Sequence, residues 1–406
     1  MNKVVLITSG QPSLNPRLVK EADALVLAGY DVTVIYQYWN NWGTVQDVKL
    51  LAEKSWKAIR VGGSPDQGKF TYGYSRLKFK CRVFLFKFFS LNPELAIGRC
   101  SALLYREAIK HNADLYIAHN LAALPAAIKA AKKNKAKIGF DAEDLHRNEV
   151  SNDFNHPDVR LKTKIEDQYF PELDYLTTSS LLISNTYKVL FPELNPVTIL
   201  NVFEQGSSLN LKSTDKKLKL VWFSQTIGHN RGIEDVLKYL NLSEQMELHL
   251  LGNMASHTKE EFNRLCADYN VDLSKVFYYP PIPSTDVINF CSQFDIGLAL
   301  EPGFCLNNDF ALSNKIFTYL QSGLPVIASD TSAQKQFMEE YKGIGFVYQR
   351  GNLDSLKNIL LDYIHRPDLL VLQKINSKKY ASGSLNWLQE KLKFLSVVHH
   401  TLSHLN

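Results

Sequence analysis

The sequence is short of the residues on which disulfide and metal chemistry usually rest. Its five cysteines, Cys81, Cys100, Cys266, Cys291 and Cys305, are scattered, odd in number and without a Cys-x-x-Cys pair. That excludes a disulfide framework and a zinc knuckle as organising features, and suits free thiols in a reducing compartment. No His-Glu-x-x-His and no Asp-x-Asp occurs, so the usual holders of a catalytic zinc or of a divalent cation on a diphosphate are missing, and no metal is expected. No Gly-x-Gly-x-x-Gly follows an apolar run, which counts against a dinucleotide oxidoreductase. No stretch approaches the ~18 consecutive apolar residues of a membrane-spanning helix. The opening run MNKVVLITSG is too short for the core of a secretion signal. A cytoplasmic protein is expected, with at most a peripheral attachment to the inner face of a membrane. Charge of one sign is scarcely in excess: 46 Lys and Arg face 41 Asp and Glu, a net +5. Such a balance permits an anionic small partner and gives no reason to expect nucleic acid.

What is present is an ordinary globular composition, 45% hydrophobic and 21% charged. A chain of 406 residues is too long for one ordinary core and suits two domains. The first forty residues spell a βαβ unit. Val4 to Thr8 is a buried-strand run, followed by a loop with Gly10. Asn15 is an N-cap with Pro16 at the first helical position, and the helix that buries Leu18, Ala22 and Leu25 stops at Gly29. Val32 to Tyr36 is the next strand.

The alternation recurs. Strand Leu115 to Ala118, helix Leu121 to Lys132 and strand Ile138 to Asp141 follow in the first half. A polar stretch, 205–217, is expected to link the domains. Beyond it come strands Leu218 to Phe223, Leu248 to Leu251, Val276 to Tyr279 and Ile296 to Leu300, with helices between them. A helix from Asn314 then precedes strands Pro325 to Ala328 and Ile344 to Tyr348. These spacings predict two tandem Rossmann-like, doubly wound α/β domains, 1–204 and 218–382, with a C-terminal helical segment, 383–406. Parallel sheets bind ligands beyond the carboxyl ends of their strands, so the residues just after each strand are the ones to examine.

Ser313-Asn314-Lys315 opens a helix after one such strand. Helix-start amides carry the positive end of the dipole, and Lys315 adds a full charge, which together suit a diphosphate. An ordinary capped helix with a solvated Lys315 fits the same residues. His119 directly follows strand Leu115–Ala118. A lone histidine at a strand end is as readily a structural residue as a functional one.

The stretch SNKIFTYLQSGLPVIASD from Ser313 resembles the nucleotide-sugar signature of retaining glycosyltransferases of the GT-B fold, family-four type (glycosyl transferases group 1). In that family a Lys-led helix ends in a small residue-Gly-x-Pro-Val turn, here Ser322 to Val326. Asn15-Pro16-Arg17, His119 in IAHNL, Asp141-Ala142-Glu143, Leu200-Asn201-Val202, Phe223-Ser224-Gln225 and Arg231-Gly232 match further segments in the same order, so the resemblance spans most of the chain. It implies two Rossmann-like domains facing each other across a cleft, and a C-terminal helix packing back on the first. It further implies transfer of a sugar from a nucleoside-diphosphate sugar to a hydroxyl of a glycan or lipid-linked acceptor, with retention, in cell-surface polysaccharide synthesis. His119, Arg231 and Lys315 take the catalytic positions, and Gly10, Arg17, Gln225, Glu301, Ser313 and Asn314 the donor-binding ones. Two departures stand out. Thr318 and Phe310 occupy the positions of the family's glutamate pair, leaving Glu301 or Asp309 to take the ribose role, and Gln225 replaces a basic residue. A sugar-nucleotide epimerase of the same architecture and a degenerate, non-catalytic scaffold are the alternatives.

One segment points to a partner. Residues 67–93 contain no acidic residue but six cations, Lys69, Arg76, Lys78, Lys80, Arg82 and Lys87, interleaved with Phe79, Phe84, Phe86, Phe88 and Phe89. A basic, aromatic helix suits an anionic membrane surface. Its apolar residues do not fall on one face, so a buried element with a basic edge is the equal alternative.

Overall fold

A computed structural model describes residues 1–204 and 217–403, so the expected linker lies outside the described residues apart from Lys217. The chain divides into two compact units: residues 1–200 with 305–307 and 391–406, and residues 201–304 with 308–390. Among the described residues the first unit holds β1 (Lys3–Thr8), β2 (Asp31–Gln37), β3 (Lys57–Val61), β4 (Leu115–His119), β5 (Lys137–Ala142), β6 (Tyr175–Thr178) and β7 (Val197–Thr198). They form one parallel sheet in the order β3-β2-β1-β4-β5-β6-β7. The second unit holds β8 (Leu218–Thr226), β9 (Met246–Asn253), β10 (Val276–Tyr279), β11 (Ile296–Ala299), β12 (Val326–Ser329) and β13 (Gly345–Tyr348). Its parallel order is β10-β9-β8-β11-β12-β13. In both sheets the winding reverses between the first strand and the fourth, so the switch points are β1/β4 and β8/β11.

Local sequence explains the elements that flank these switch points. The Asn15 side chain accepts from the Leu18 amide at 3.0 Å with Pro16 in the first turn, and helix Pro16–Leu27 buries Leu18, Ala22 and Leu25 against the sheet. In the second unit, helix Asn314–Gln321 is clamped onto β11 by Tyr319. A Cβ at Gly297 would lie 2.1 Å from its ring, and its hydroxyl donates to the Leu298 carbonyl at 3.1 Å. Gly323, at φ +75°, takes the left-handed turn that frees the chain to enter β12. The helix expected from Leu121 begins as a single 3-10 turn and becomes α-helical at Leu124, with Pro125 in its first turn.

The basic segment forms helix Lys69–Phe89, and its apolar residues, as expected, do not fall on one face. The helix has two apolar faces. Phe86 is buried and Tyr72, Phe79 and Val83 are partly so, on the inner side. Phe70, Tyr74, Leu77, Phe84, Leu85 and Phe88, exposed by 85, 51, 63, 57, 38 and 68%, point outward. At 100° per residue the outward six fall within an arc of roughly 100°. Two opposed faces cancel in any single-face reading of the sequence, which is why the pattern is hidden there. Among the described residues no helix is long and apolar enough to cross a membrane.

Candidate functional site

At the switch point of the second sheet, Glu301 lies two residues past β11. Its Oε1 accepts from the Ser313 hydroxyl at 2.8 Å and from Lys315 Nζ at 2.6 Å. Burial alone would raise the Glu301 carboxyl, but Lys315 outweighs it and holds the group below the usual carboxylate range. Ser313 stands at the N-cap position, yet its hydroxyl is spent on Glu301, and among the described residues no side chain caps the helix. The helix start is therefore left without a side-chain oxygen over its first amides, with Lys315 Nζ above the Trp222 ring at 5.5 Å. Asn314 begins this helix. Gly232 has φ +76°, and a Cβ there would meet the Leu300 Cβ at 2.7 Å. This approach seats the half-buried Arg231, one residue away, beside the same strand end, and Arg231 makes no ion pair among the described residues. Gln225 is exposed at the far end of β8, where the register slips between Phe223 and Thr226.

The structure separates the two carboxylates left open for the ribose. Asp309 is engaged at the start of helix Ser332–Glu340, where it accepts from the Ser332 amide at 3.1 Å and pairs with Arg350 at 3.4 Å. Glu301 remains at the start of helix Asn314–Gln321. Thr318 is buried, its hydroxyl turned back to the Asn314 carbonyl at 3.3 Å.

At the switch point of the first sheet, four groups close on one another inside the fold. His119 Nε2 lies 3.1 Å from Glu21 and Nδ1 lies 3.5 Å from Asp141. Arg17 bridges the same two carboxylates, 2.6 Å from Asp141 and 3.5 Å from Glu21, and also donates to the Ile199 carbonyl. Arg17, Glu21, His119 and Asp141 are each at most 1% exposed. Arg17 and His119 thus sit in a hub inside the fold, each facing the carboxylates of Glu21 and Asp141. Burial and the Asp141 charge lift Glu143 to about 7, while burial and Arg17 bring Lys20 down to about 7. Glu21 was not singled out from the sequence, although Arg17 and Glu21 are four apart on the helix face that carries Leu18 and Leu25. His119, Asp141 and Glu143 together have the spacing of a cation site. Their fit to a metal is poor, because Arg17 already neutralises Asp141 and both imidazole nitrogens face carboxylates.

The hub makes a testable statement about charge. Burial alone would lower His119, but Glu21 and Asp141 outweigh it and raise its pKa from 6.5 to about 10. A base held above its unfolded value contributes stability that is whole below about 6.5 and is lost as pH rises through about 10. Nitrogen NMR should find the His119 ring doubly protonated at pH 8, and His119→Asn should flatten the fall in stability across that window. A neutral His119 at pH 7 would refute the assignment.

Beside this hub, and within the first unit, lies a cavity of about 630 Å³ at the carboxyl ends of β1, β2, β4 and β5. Ser9, Tyr38, Tyr72, Arg76, Asn120 and His146 are among its lining residues. Asn120 holds φ +69°, a costly conformation for a residue with a side chain, and its Oδ1 accepts from the Thr8 hydroxyl at 2.7 Å. Gly10 donates to the same hydroxyl at 3.1 Å. The sequence alone does not carry this conformation, though asparagine is among the few residues that tolerate positive φ.

Two tandem parallel-sheet units, each wound with its switch point after the first strand, define the fold as GT-B, the architecture of glycosyltransferases. The chain is similar over 100% of its length and 100% of theirs to two solved proteins. One is HepE of Anabaena in complex with UDP and glucose, at 14% identity and TM-score 0.69. The other is sucrose-phosphate synthase of Thermosynechococcus elongatus, at 12% and 0.70. A glycosyltransferase from Rickettsia africae matches at 15% identity and TM-score 0.70 over 99% of both chains. No protein-family model and no curated protein matches the sequence.

Proposed function

We propose that the protein transfers a sugar, with retention, from a nucleoside-diphosphate sugar to a hydroxyl of a glycan or lipid-linked acceptor in cell-surface polysaccharide synthesis. The observation that carries this reading is the helix start at Ser313–Lys315, uncapped by the Ser313 side chain and facing the Lys315 ammonium at the β8/β11 switch point. The donor's diphosphate sits there. Lys315, Arg231 and the Asn314 and Lys315 amides take up the negative charge that grows on it as the bond to the anomeric carbon breaks. The acceptor oxygen attacks that carbon from the same side, and its proton passes to a diphosphate oxygen, so the new bond keeps the anomeric configuration. Positive charge from side chains and amides fills the role a divalent ion plays elsewhere, so chelators should leave the rate unchanged. Glu301 binds the ribose hydroxyls, and Gln225 and Gly10 flank the donor. Arg17 and His119 act from within the hub, holding the strand end that faces the donor sugar. The solved complexes of HepE with UDP-glucose and of TarM of Staphylococcus aureus with UDP support this reading. The protein works at the cytoplasmic membrane surface, through 67–93.

A panel of nucleotide sugars tests the proposal. Release of nucleoside diphosphate should appear with one or a few donors and rise on addition of acceptor, in the presence of chelator. Conversion of the sugar with no acceptor consumed would identify an epimerase instead. No donor turned over and no thermal shift with any nucleoside diphosphate would leave the scaffold reading.

A further inference from the structure

Glu301 opens a stretch without regular secondary structure, 301–304, so neither a strand ladder nor a helix holds its backbone. Other groups do. The Ser329 hydroxyl, at the end of β12, accepts from the Glu301 amide at 2.9 Å and donates to the Glu301 carbonyl at 2.7 Å. Beyond Glu301 the loop rests on Arg350, two residues past β13. Arg350 Nη1 donates to the Pro302 carbonyl at 2.8 Å and Nε to Asp330 at 2.7 Å, while Nη2 lies 3.4 Å from Asp309. The Arg350 amide also donates to Asp330, at 3.1 Å.

Gly303 shows how closely loop and guanidinium are fitted. It has φ +66°, and a Cβ there would lie 1.5 Å from Arg350 Nη1. Both the left-handed turn and the lack of space call for glycine. Gly303 donates to Asn308 Oδ1 at 2.5 Å, and Asn308 Nδ2 reaches Glu301 Oε2 at 3.5 Å. Contacts thus run from Arg350 through Gly303 and Asn308 to the Glu301 carboxylate, all within the second unit. A planar guanidinium engages a carbonyl and two carboxylates in fixed directions, whereas an ammonium is a point charge on a flexible stem. Asp330 and Asp309 are 29 and 21% exposed, and Asp309 also accepts from the Ser332 amide, so water and other donors serve both without Arg350. What Arg350 adds is the position of the loop.

We infer that Arg350 is a positioning residue for the donor: through Pro302, Gly303 and Asn308 it fixes the Glu301 carboxylate, and so sets how strongly the protein prefers ribose to deoxyribose on the nucleotide. The inference rests on the reading of Glu301 as the ribose-binding group. A carboxylate held in place before the ligand arrives keeps the full value of its hydrogen bonds. One on a loose loop gives part of that value up to ordering. Loss of Arg350 therefore weakens the ribose contacts and spares the diphosphate contacts, which belong to Lys315, Arg231 and the helix start.

The test is calorimetric affinity of the full chain for uridine, guanosine and adenosine diphosphates, each beside its 2′-deoxy counterpart. For the nucleotide that binds best, the parent should prefer the ribonucleotide by about tenfold or more, the size expected of a hydrogen bond to a charged group. Arg350→Gln should erase most of that preference while changing the affinity for the 2′-deoxy nucleotide by less than about twofold. Gly303→Ala, which expels the guanidinium from the loop side, should do the same, and decides the matter if Arg350→Gln does not fold. In a Glu301→Ala background Arg350→Gln should leave the ribose-to-deoxyribose ratio unchanged, because the group it positions is gone. Full preference retained in both Arg350→Gln and Gly303→Ala, whatever their melting temperatures, would overturn the inference and leave the Glu301 reading standing. Equal weakening of ribose and deoxyribose forms would make Arg350 a general support of the fold and overturn it too. A parent that binds a nucleotide without preference, or binds none, would remove the ribose role of Glu301 and this inference with it.

Discussion

Lys315→Met is expected to lower turnover by about 10²–10³-fold, the size seen when one preorganised stabiliser of transition-state charge is removed, ~2.7–4 kcal/mol. The structure gives this variant a complication that its position in the sequence does not. Lys315 Nζ is also the partner of Glu301, at 2.6 Å, and Glu301 is only 15% exposed. Removing the ammonium leaves that carboxylate with Ser313 and a long contact to Asn308, so the fold should lose about 1–3 kcal/mol as well. Adding Glu301→Gln separates the two roles. The double variant should melt close to the parent, because no buried charge is left unmatched, and should stay as inactive as Lys315→Met. Melting curves and kcat/KM on the four proteins of the cycle decide the matter. Turnover recovered in the double variant would show that Lys315 serves only to neutralise Glu301, and the phosphate assignment would fall.

The parts of this site that the sequence reveals are those with a local physical cause. The β1 and β11 switch points are visible because buried parallel strands read as unbroken apolar runs followed by a polar turn. Asn15 and Pro16, or Gly323 and Pro325, are visible because caps and breakers act within one turn of chain. What stays hidden depends on residues far apart in sequence. Nothing near Ser313 says that its hydroxyl will turn to Glu301, twelve residues earlier, and so leave the helix uncapped. Asp309 and Glu301 look equivalent as loose carboxylates until Arg350 and Ser332 engage one of them. The edge strand β3, KAIRV, is partly exposed along most of its length and loses the contrast that marks a buried strand, and β7 spans only Val197–Thr198. The outward stripe of the basic helix is hidden for a different reason: the face opposite it is apolar too.

Arg17→Met is expected to destabilise the first unit by about 3–5 kcal/mol, the range for breaking a buried ion pair from one side. Arg17 pairs with both Glu21 and Asp141, as His119 does, and both carboxylates have no exposed surface. Without it a single imidazolium faces two anions, and one must take up a proton or draw in water. Burial and Asp141 already push Glu21 upward, so Glu21 is the group expected to protonate first, and the variant should recover part of its stability as pH falls toward 5. Arg17→Met with Asp141→Asn should melt higher than Arg17→Met alone, since one of the two orphaned charges is gone. Because the chain has two units, the measurement is the urea midpoint of the first unit's own transition, followed by a probe confined to residues 1–200. Nucleoside-diphosphate affinity read on the same protein should change less than about twofold. An unchanged midpoint together with weakened nucleotide binding would return Arg17 to the donor-contact role that its sequence position suggests, and would dissolve the hub as a structural unit.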